Sequence, residues 1–348
     1  MRIAVEVSAL SHPRTGIGNY IRGSLVGLAE AGAGRHELVA FAAANVRGGP
    51  EAIRAALAGV PIELRLVGVP FAHGVRTAWS RAGAPATERF LGKFDVLHFW
   101  EWAYPPQRAG VRATTIHDLV PLRFPHWVPA RTRRMHGAKY RHAAKTCDVV
   151  FANSRFTADD VVERLGVAPE RVRVAYPGVD RRFRQEGERT DLGRPYLLAV
   201  GTETRKNIET VVEAQALLRT DHALAVAGSD PPSGVVGLGY VPDEELARLY
   251  RGADVFIYAS RFEGFGIPVV EAMASGVPCV VSSHPSLDEA CGDAAIRVDE
   301  NGAEAIATGV EQALADRELL ISRGLAHAAR FTWPGTGRAL LAGYEAAN

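Results

Sequence analysis

The sequence predicts an α/β protein built from two Rossmann-like, doubly wound domains. Three observations lead there. Strand-like apolar runs alternate with helical stretches from end to end, the pattern of parallel sheets with helices on both faces. A chain of 348 residues is long for a single hydrophobic core. The alternating series is also interrupted by a polar stretch at 176–194 that reads as an interdomain linker.

In the first half, strands are expected at 3–7, 37–42, 62–67, 96–99, 113–116, 149–152 and 172–175. A second series follows at 196–200, 223–227, 235–238, 255–258, 279–281 and 295–298. The domains are therefore expected at 1–184 and 185–330, with ligands bound in a cleft at the carboxyl ends of strands.

Bulk composition excludes several classes. Hydrophobic residues at 47% and charged residues at 23% rule out a disordered or fibrous chain. No apolar run reaches membrane-spanning length, and the apolar start 3–10 contains Glu6 and reads as a first strand, not a signal peptide. Cys147, Cys279 and Cys291 are odd in number and widely spaced, so neither a disulfide framework nor a zinc site is expected and a cytoplasmic location fits.

Charge is divided unevenly. Residues 1–185 hold 27 Lys and Arg against 15 Asp and Glu, which leaves 13 against 24 for the rest of the totals of 40 and 39. A basic first half suits an anionic membrane surface, a phosphorylated acceptor or nucleic acid, and the acidic second half argues against the last. Attraction between the halves is an equal alternative. A helix expected at 129–146 carries Arg131, Arg133, Arg134, Lys139, Arg141 and Lys145; a solvated face is the favoured reading and a peripheral membrane contact the other.

The most informative stretch is Ser260-Arg-Phe-Glu-Gly-Phe-Gly-Ile-Pro-Val-Val-Glu-Ala-Met-Ala-Ser-Gly276. A buried strand before it is broken by Gly264 and Gly266, and Pro268 suits a first helical position, where a missing N–H is not needed. Glu271 is then expected in the first turn, leaning back toward the loop that carries Glu263. Two carboxylates beside a helix N-terminus can hold hydroxyls and a phosphate together, which describes a nucleotide sugar.

At these residues the sequence resembles the retaining family 4 glycosyltransferases, two-domain GT-B proteins with a Glu, seven residues, Glu signature. The resemblance implies that Glu263 binds the donor sugar and Glu271 the nucleotide ribose, with Gly264, Phe265, Gly266 and Ile267 forming the turn between them. It extends over nearly the whole chain. Thr15-Gly-Ile-Gly-Asn-Tyr-Ile-Arg-Gly23 misses the dinucleotide fingerprint, since Ile21 stands where a third glycine is required, but Gly16 and Gly18 match the family's loop beneath the donor diphosphate. A tight strand-to-helix turn is the plainer reading of those glycines.

Thr115-Ile-His-Asp-Leu-Val-Pro121 places His117 and Asp118 at a strand end. The histidine can donate to a sugar hydroxyl, as the family's does, and the aspartate can fix its tautomer or cap the next turn. Leu198-Ala-Val-Gly-Thr-Glu-Thr-Arg-Lys-Asn-Ile208 supplies Arg205 and Lys206, two cations suited to a departing diphosphate. Many relatives carry their arginine directly after the glycine, where this chain has Thr202. Gly237-Leu-Gly-Tyr-Val-Pro-Asp243 resembles the segment that receives the base, through the backbone of Tyr240 and Val241, and Asp243 reads equally as a helix N-cap.

There is no Asp-x-Asp pair, His-Glu-x-x-His or cysteine cluster, so no metal and no cofactor is expected. The final helix, about 331–348, resembles the family's return onto the first domain. The resemblance thus implies a retaining hexosyltransferase, metal-independent, similar to bacterial mannosyl- or glucosyltransferases of surface polysaccharide. Its partners are a nucleoside diphosphate sugar and a carbohydrate or lipid-linked acceptor. A nucleotide-sugar epimerase and a non-catalytic sugar-binding relative stay open as alternatives on the same fold.

Overall fold

The computed structural model describes residues 1–12 and 16–348. The chain divides into two compact units, Met1–Gly178 with Thr332–Asn348, and Val179–Phe331.

The first unit holds seven strands: β1 (Arg2–Glu6), β2 (Glu37–Asn45), β3 (Glu63–Val69), β4 (Val96–Phe99), β5 (Val111–Ile116), β6 (Val149–Ala152) and β7 (Val172–Val174). They form one parallel sheet in the order β3-β2-β1-β4-β5-β6-β7. Ile3 pairs with Leu38 on one side and Val96 on the other, and Ile3, Ala4 and Val5 are buried on both faces. That explains why β1 reads as an unbroken apolar run instead of alternating. β3, at the edge, stays partly exposed along its length. Strand order reverses between β1 and β4, so their carboxyl ends, at Glu6 and Phe99, flank the crevice where such sheets bind ligands.

The final helix, Trp333–Ala347, belongs to this unit and lies against the first helix, Gly16–Gly32. Glycines make that approach possible. A Cβ on Gly27 would sit 1.9 Å from the Trp333 carbonyl oxygen, and one on Gly337 would sit 2.0 Å from the Gly27 carbonyl oxygen. Farther along, the Tyr344 hydroxyl meets His98 Nδ1 at 2.5 Å, and His98 Nε2 lies 2.9 Å from Thr115 Oγ1.

The second unit holds β8 (Tyr196–Val200), β9 (Ala223–Ala227), β10 (Val236–Gly239), β11 (Val255–Tyr258), β12 (Cys279–Ser282) and β13 (Ile296–Val298). Its parallel sheet runs β10-β9-β8-β11-β12-β13, with the reversal between β8 and β11. The loops leaving those two strands carry Arg205, Lys206 and Glu263.

The boundary between units falls at Gly178 and Val179, earlier than the 184/185 expected from composition. Asp180, Arg182 and Phe183 pack on the second unit: Arg182 lies 3.0 Å from Glu244, and the Phe183 ring meets Tyr250 edge to face at 5.8 Å. Polarity marked this stretch as a linker, but its charges have partners. All three cysteines are free and buried. Among the described residues no helix is long and apolar enough to cross a membrane.

Candidate active site

Gly201 follows β8 with φ +91°, and a Cβ there would lie 2.9 Å from Lys206 Cε. Only glycine lets the chain turn while the lysine stem folds across it. A short 3-10 turn, Thr204–Lys206, then delivers Arg205 and Lys206, and Asn207 closes it at φ +58°. Asn207 fixes the turn from both ends of its amide: Nδ2 donates to the Glu300 carbonyl at 2.5 Å, and Oδ1 accepts from Thr210 and Arg261 at 2.9 and 2.8 Å.

Lys206 and Glu263 are both almost sealed from solvent, at 7% exposure each. Glu263 Oε1 accepts from Lys206 Nζ at 2.8 Å and from Ser260 Oγ at 2.6 Å, and it is ion-paired with Arg205. Lys206 Nζ also donates to the Tyr258 hydroxyl and lies 4.4 Å from the centre of that ring. Burial alone raises the Glu263 pKa, but the Lys206 and Arg205 charges and the bonds from Lys206 and Ser260 outweigh it and bring it to about 2. Burial draws the Lys206 pKa down, with Glu263 opposing. All three donors converge on Oε1, which leaves Oε2 to accept from a ligand. The Glu263 backbone is held too, its N–H donating to Ser286 Oγ at 3.1 Å, a hydroxyl that lies 2.9 Å from His284 Nδ1.

Gly264 and Phe265 are buried, and the Phe265 ring packs edge-on against Phe331 at 5.1 Å. Gly266 adopts φ +105° and caps the helix Ile267–Ala274. Among the described residues the N–H groups of Gly266 and Ile267 have no partner, whereas that of Val269 donates to the Gly266 carbonyl. Two expectations are corrected here. Pro268 is the second helical residue, not the first, and Glu271 is the fifth, one residue deeper than a start at Pro268 would put it and just past the first turn, because the helix starts at Ile267.

Glu271 is buried, and its surroundings differ from those of Glu263. Burial, then the nearby Asp243 and Asp180, push its pKa well above the ordinary carboxyl value, with Arg182 only partly opposing. The two glutamates are thus opposites: cations bring the pKa of one down, and burial and other carboxylates push that of the other up.

Tyr240 is exposed and Val241 half-buried, at the end of β10. Asp243 is the first residue of the helix Asp243–Gly252 and not its cap; that place belongs to Pro242. Its carboxylate lies 3.8 Å from Arg182 instead.

In the first unit, Gly16 and Gly18 both lie within the helix Gly16–Gly32. A Cβ on Gly16 would meet nothing within 4 Å, while Gly18 is buried. Thr15 lies outside the described residues.

His117 follows β5 and meets the edge of Tyr20 at 5.0 Å. Burial, then the charges of Lys139 and His136, lower its pKa to about 3, so it is neutral at physiological pH. Its Nε2 is buried with no partner among the described residues. Asp118 Oδ1 accepts the Val120 N–H at 2.9 Å, capping the next turn.

The basic helix is Ala130–Thr146, and Lys139 does not lie on its solvated face. It is 2% exposed, and Nζ donates to the carbonyls of Trp100 and Thr115 at 2.5 and 2.6 Å, tying the ends of β4 and β5 together. Burial lowers its pKa to about 8. Arg131, Arg133, Arg134, Arg141 and Lys145 are exposed.

Sequence reasoning missed Ser260, Asn207, Tyr258 and Ser286, the neutral groups that orient the charged ones. Only the left-handed Asn207 left a trace, as an asparagine closing a turn just ahead of a helix.

Two parallel α/β units of this kind, with a buried glutamate and paired cations at the strand ends of the second, define a GT-B glycosyltransferase. Residues 14–183 match the family described as Glycosyltransferase Family 4, and residues 180–324 match Glycosyl transferases group 1. O-antigen chain mannosyltransferase B of Escherichia coli is 30% identical over 271 residues, covering 69% of this chain and 71% of that protein. Mannosylfructose-phosphate synthase of Agrobacterium fabrum is 30% identical over 327 residues, with 73% and 70% covered. Among solved structures, the sucrose-phosphate synthase of Thermosynechococcus elongatus aligns with a TM-score of 0.71 at 18% identity, over 99% of this chain and 98% of its own. The chain belongs to glycosyltransferase family 4.

Proposed function

We propose that the protein transfers a hexose of the mannose or glucose type from a nucleoside diphosphate sugar to a carbohydrate or lipid-linked acceptor, with retention of configuration and without a metal ion or other cofactor. The observation that carries this reading is the buried Lys206–Glu263–Arg205 cluster, whose one carboxylate keeps an oxygen for a hydroxyl while two cations wait for a phosphate. The mannose or glucose preference is supported by the mannosyl and sucrose products in the names of the relatives.

In this reading Glu263 Oε2 accepts from sugar hydroxyls. Lys206 and Arg205 turn part of their charge toward the diphosphate as it departs, the role a divalent ion has in other transferases. The N–H groups of Gly266 and Ile267, at the positive end of the helix, add to the same field. The leaving phosphate takes the acceptor's proton on the face it departs from, so no protein base is needed. Glu271 binds the ribose, and the backbone near Tyr240 and Val241 receives the base. His117, neutral and with a free Nε2, exchanges a hydrogen bond with a sugar hydroxyl; it is too weak a base to act by proton transfer.

The test is a thermal-shift panel of GDP- and UDP-sugars, because a ligand that binds only the folded chain raises its melting temperature. One nucleotide series should stabilise the wild type and fail to stabilise Glu263→Gln when the sugar is attached. A panel with no stabilising member would refute the proposal.

A further inference from the structure

A second group of charged and aromatic residues lies on the strand-end rim of the first unit, apart from His117. Arg76 sits in the helix Ala72–Ala82, whose first N–H donates to Asn45 Oδ1 at 3.1 Å. Its side chain is buried, at 6% exposure, yet among the described residues it makes no ion pair and no hydrogen bond, and its Nε is sealed without an acceptor. It faces an aromatic ring: the guanidinium carbon is 5.2 Å from the centre of the Trp102 ring.

Trp102 in turn meets His73 at 4.5 Å. The loop after β4 that carries it is pinned to the same helix by the Tyr104 N–H, which donates to Ser80 Oγ at 3.0 Å. The guanidinium is therefore flanked by residues with partners of their own, and among the described residues none of them supplies it an acceptor.

A largely buried guanidinium whose Nε is sealed without an acceptor is costly unless something pairs with it. A carboxyl that feels its charge is Glu6, at the end of β1, which accepts the Ser8 N–H at 2.9 Å and makes no ion pair with Arg76 among the described residues. Burial raises the Glu6 pKa to about 7, with Arg76 lowering and Glu101 raising it, so Glu6 only partly offsets the positive charge at neutral pH. Burial, then the charges of Arg131 and Arg76, lower the pKa of the neighbouring His73, so Arg131 is the further cation on this side.

We propose that Arg76 is the anion-binding residue of an acceptor subsite, taking the phosphoryl group of a phosphorylated carbohydrate or lipid-linked acceptor. The guanidinium fork matches a phosphate in two-point geometry, and the Trp102 face holds it ready for that contact. This rests on the glycosyltransferase reading, and it specifies the acceptor as anionic.

The test is calorimetry on the full chain at low salt with glucose 6-phosphate, geranyl diphosphate and glucose, and separately with GDP and UDP. At least one phosphorylated probe should bind and glucose should not. Arg76→Gln should weaken that binding at least fivefold, Arg76→Lys should weaken it less, and GDP or UDP binding should stay unchanged in both. The probe with the larger Arg76-dependent loss tells whether the phosphate sits on a sugar or on a lipid. If Arg76→Gln fails to fold, the comparison is made with Trp102→Leu, which removes the ring that holds the guanidinium and should cause the same loss. Binding of neither phosphorylated probe, or a loss below fivefold, would overturn the proposal. Absence of GDP and UDP binding in the wild type would instead count against the glycosyltransferase reading and leave the phosphorylated-probe result to be judged on its own.

Discussion

Lys206 Nζ and Glu263 Oε1 lie 2.8 Å apart in a pocket almost closed to solvent, and the two residues come from loops that leave neighbouring strands. An ion pair so deeply buried is a costly way to hold two loops together, since apolar residues of similar size often do as well. Its charges are better explained as a preformed site, in which a ligand's hydroxyls and phosphate replace contacts that the residues now make with each other.

Removing one partner should expose that cost. Glu263→Gln leaves Lys206 buried beside a neutral amide and should lower stability by about 3 kcal/mol at pH 7. The folded pKa of Glu263, about 2, lies below its ordinary value of 4.5. Its contribution is therefore complete above about pH 4.5 and is lost as the pH falls through 2. Urea unfolding of both proteins at pH 7 and pH 3 checks this: the gap should narrow at pH 3, and a constant gap would contradict the assigned ion pair.

Glu271 should behave in the opposite sense. Its folded pKa is raised, so the protonated form is favoured by folding, and stability should decline as the pH rises from 4.5 through the raised value. Glu271→Gln should remove that decline. Glu271→Ala should also weaken nucleoside diphosphate binding by about 1–3 kcal/mol, the size of a hydrogen bond to a charged or buried group. Unchanged affinity in calorimetry, with the fold intact, would take Glu271 out of the site.

The turn between the two glutamates should tolerate no side chain. Gly266 sits at φ +105°, and a Cβ there would lie 2.6 Å from Leu287 Cδ2. Gly266→Ala is expected to cost about 1–3 kcal/mol of stability through backbone strain, and to reduce donor binding with it. A melting temperature equal to the wild type's would show that the turn relaxes freely.

Both sheets were legible in the sequence because parallel strands buried on both faces write themselves as short apolar runs, as in Ile3-Ala-Val5 and Cys279-Val-Val281. Lys206 and Glu263 stood out by the spacing of a family motif, and the structure brings these two together. What stayed hidden depends on three-dimensional neighbours. Lys139 looked like one more cation on a basic helix, yet it is buried against two carbonyls. The depth of Glu271 turned on where the helix starts, and a shift of one position at Pro268 moved it one residue inward, just past the first turn. Asp243 looked like a cap and is instead part of the negative field around Glu271.

The exposed Arg131, Arg133 and Arg134 bear on the acceptor's setting. If they meet an anionic membrane, the chain should bind anionic vesicles at low salt and release them as screening shortens the interaction range to about 8 Å near physiological ionic strength. Replacing all three with Gln should reduce that binding. No vesicle binding at low salt would leave a soluble acceptor as the preferred reading.

The central claim is that Lys206 takes the place of a metal ion at the donor diphosphate. Its most direct measurement is calorimetric titration of GDP-mannose and UDP-glucose after exhaustive chelation, into the wild type and into Lys206→Met, in which Arg205 remains to pair with Glu263. One of the two donors should bind the chelated wild type, and Lys206→Met should weaken that binding by roughly tenfold to a hundredfold, the ~1.5–3 kcal/mol of a charge-assisted hydrogen bond. Binding that appears only when Mn²⁺ or Mg²⁺ is restored, or that Lys206→Met retains in full, would contradict it.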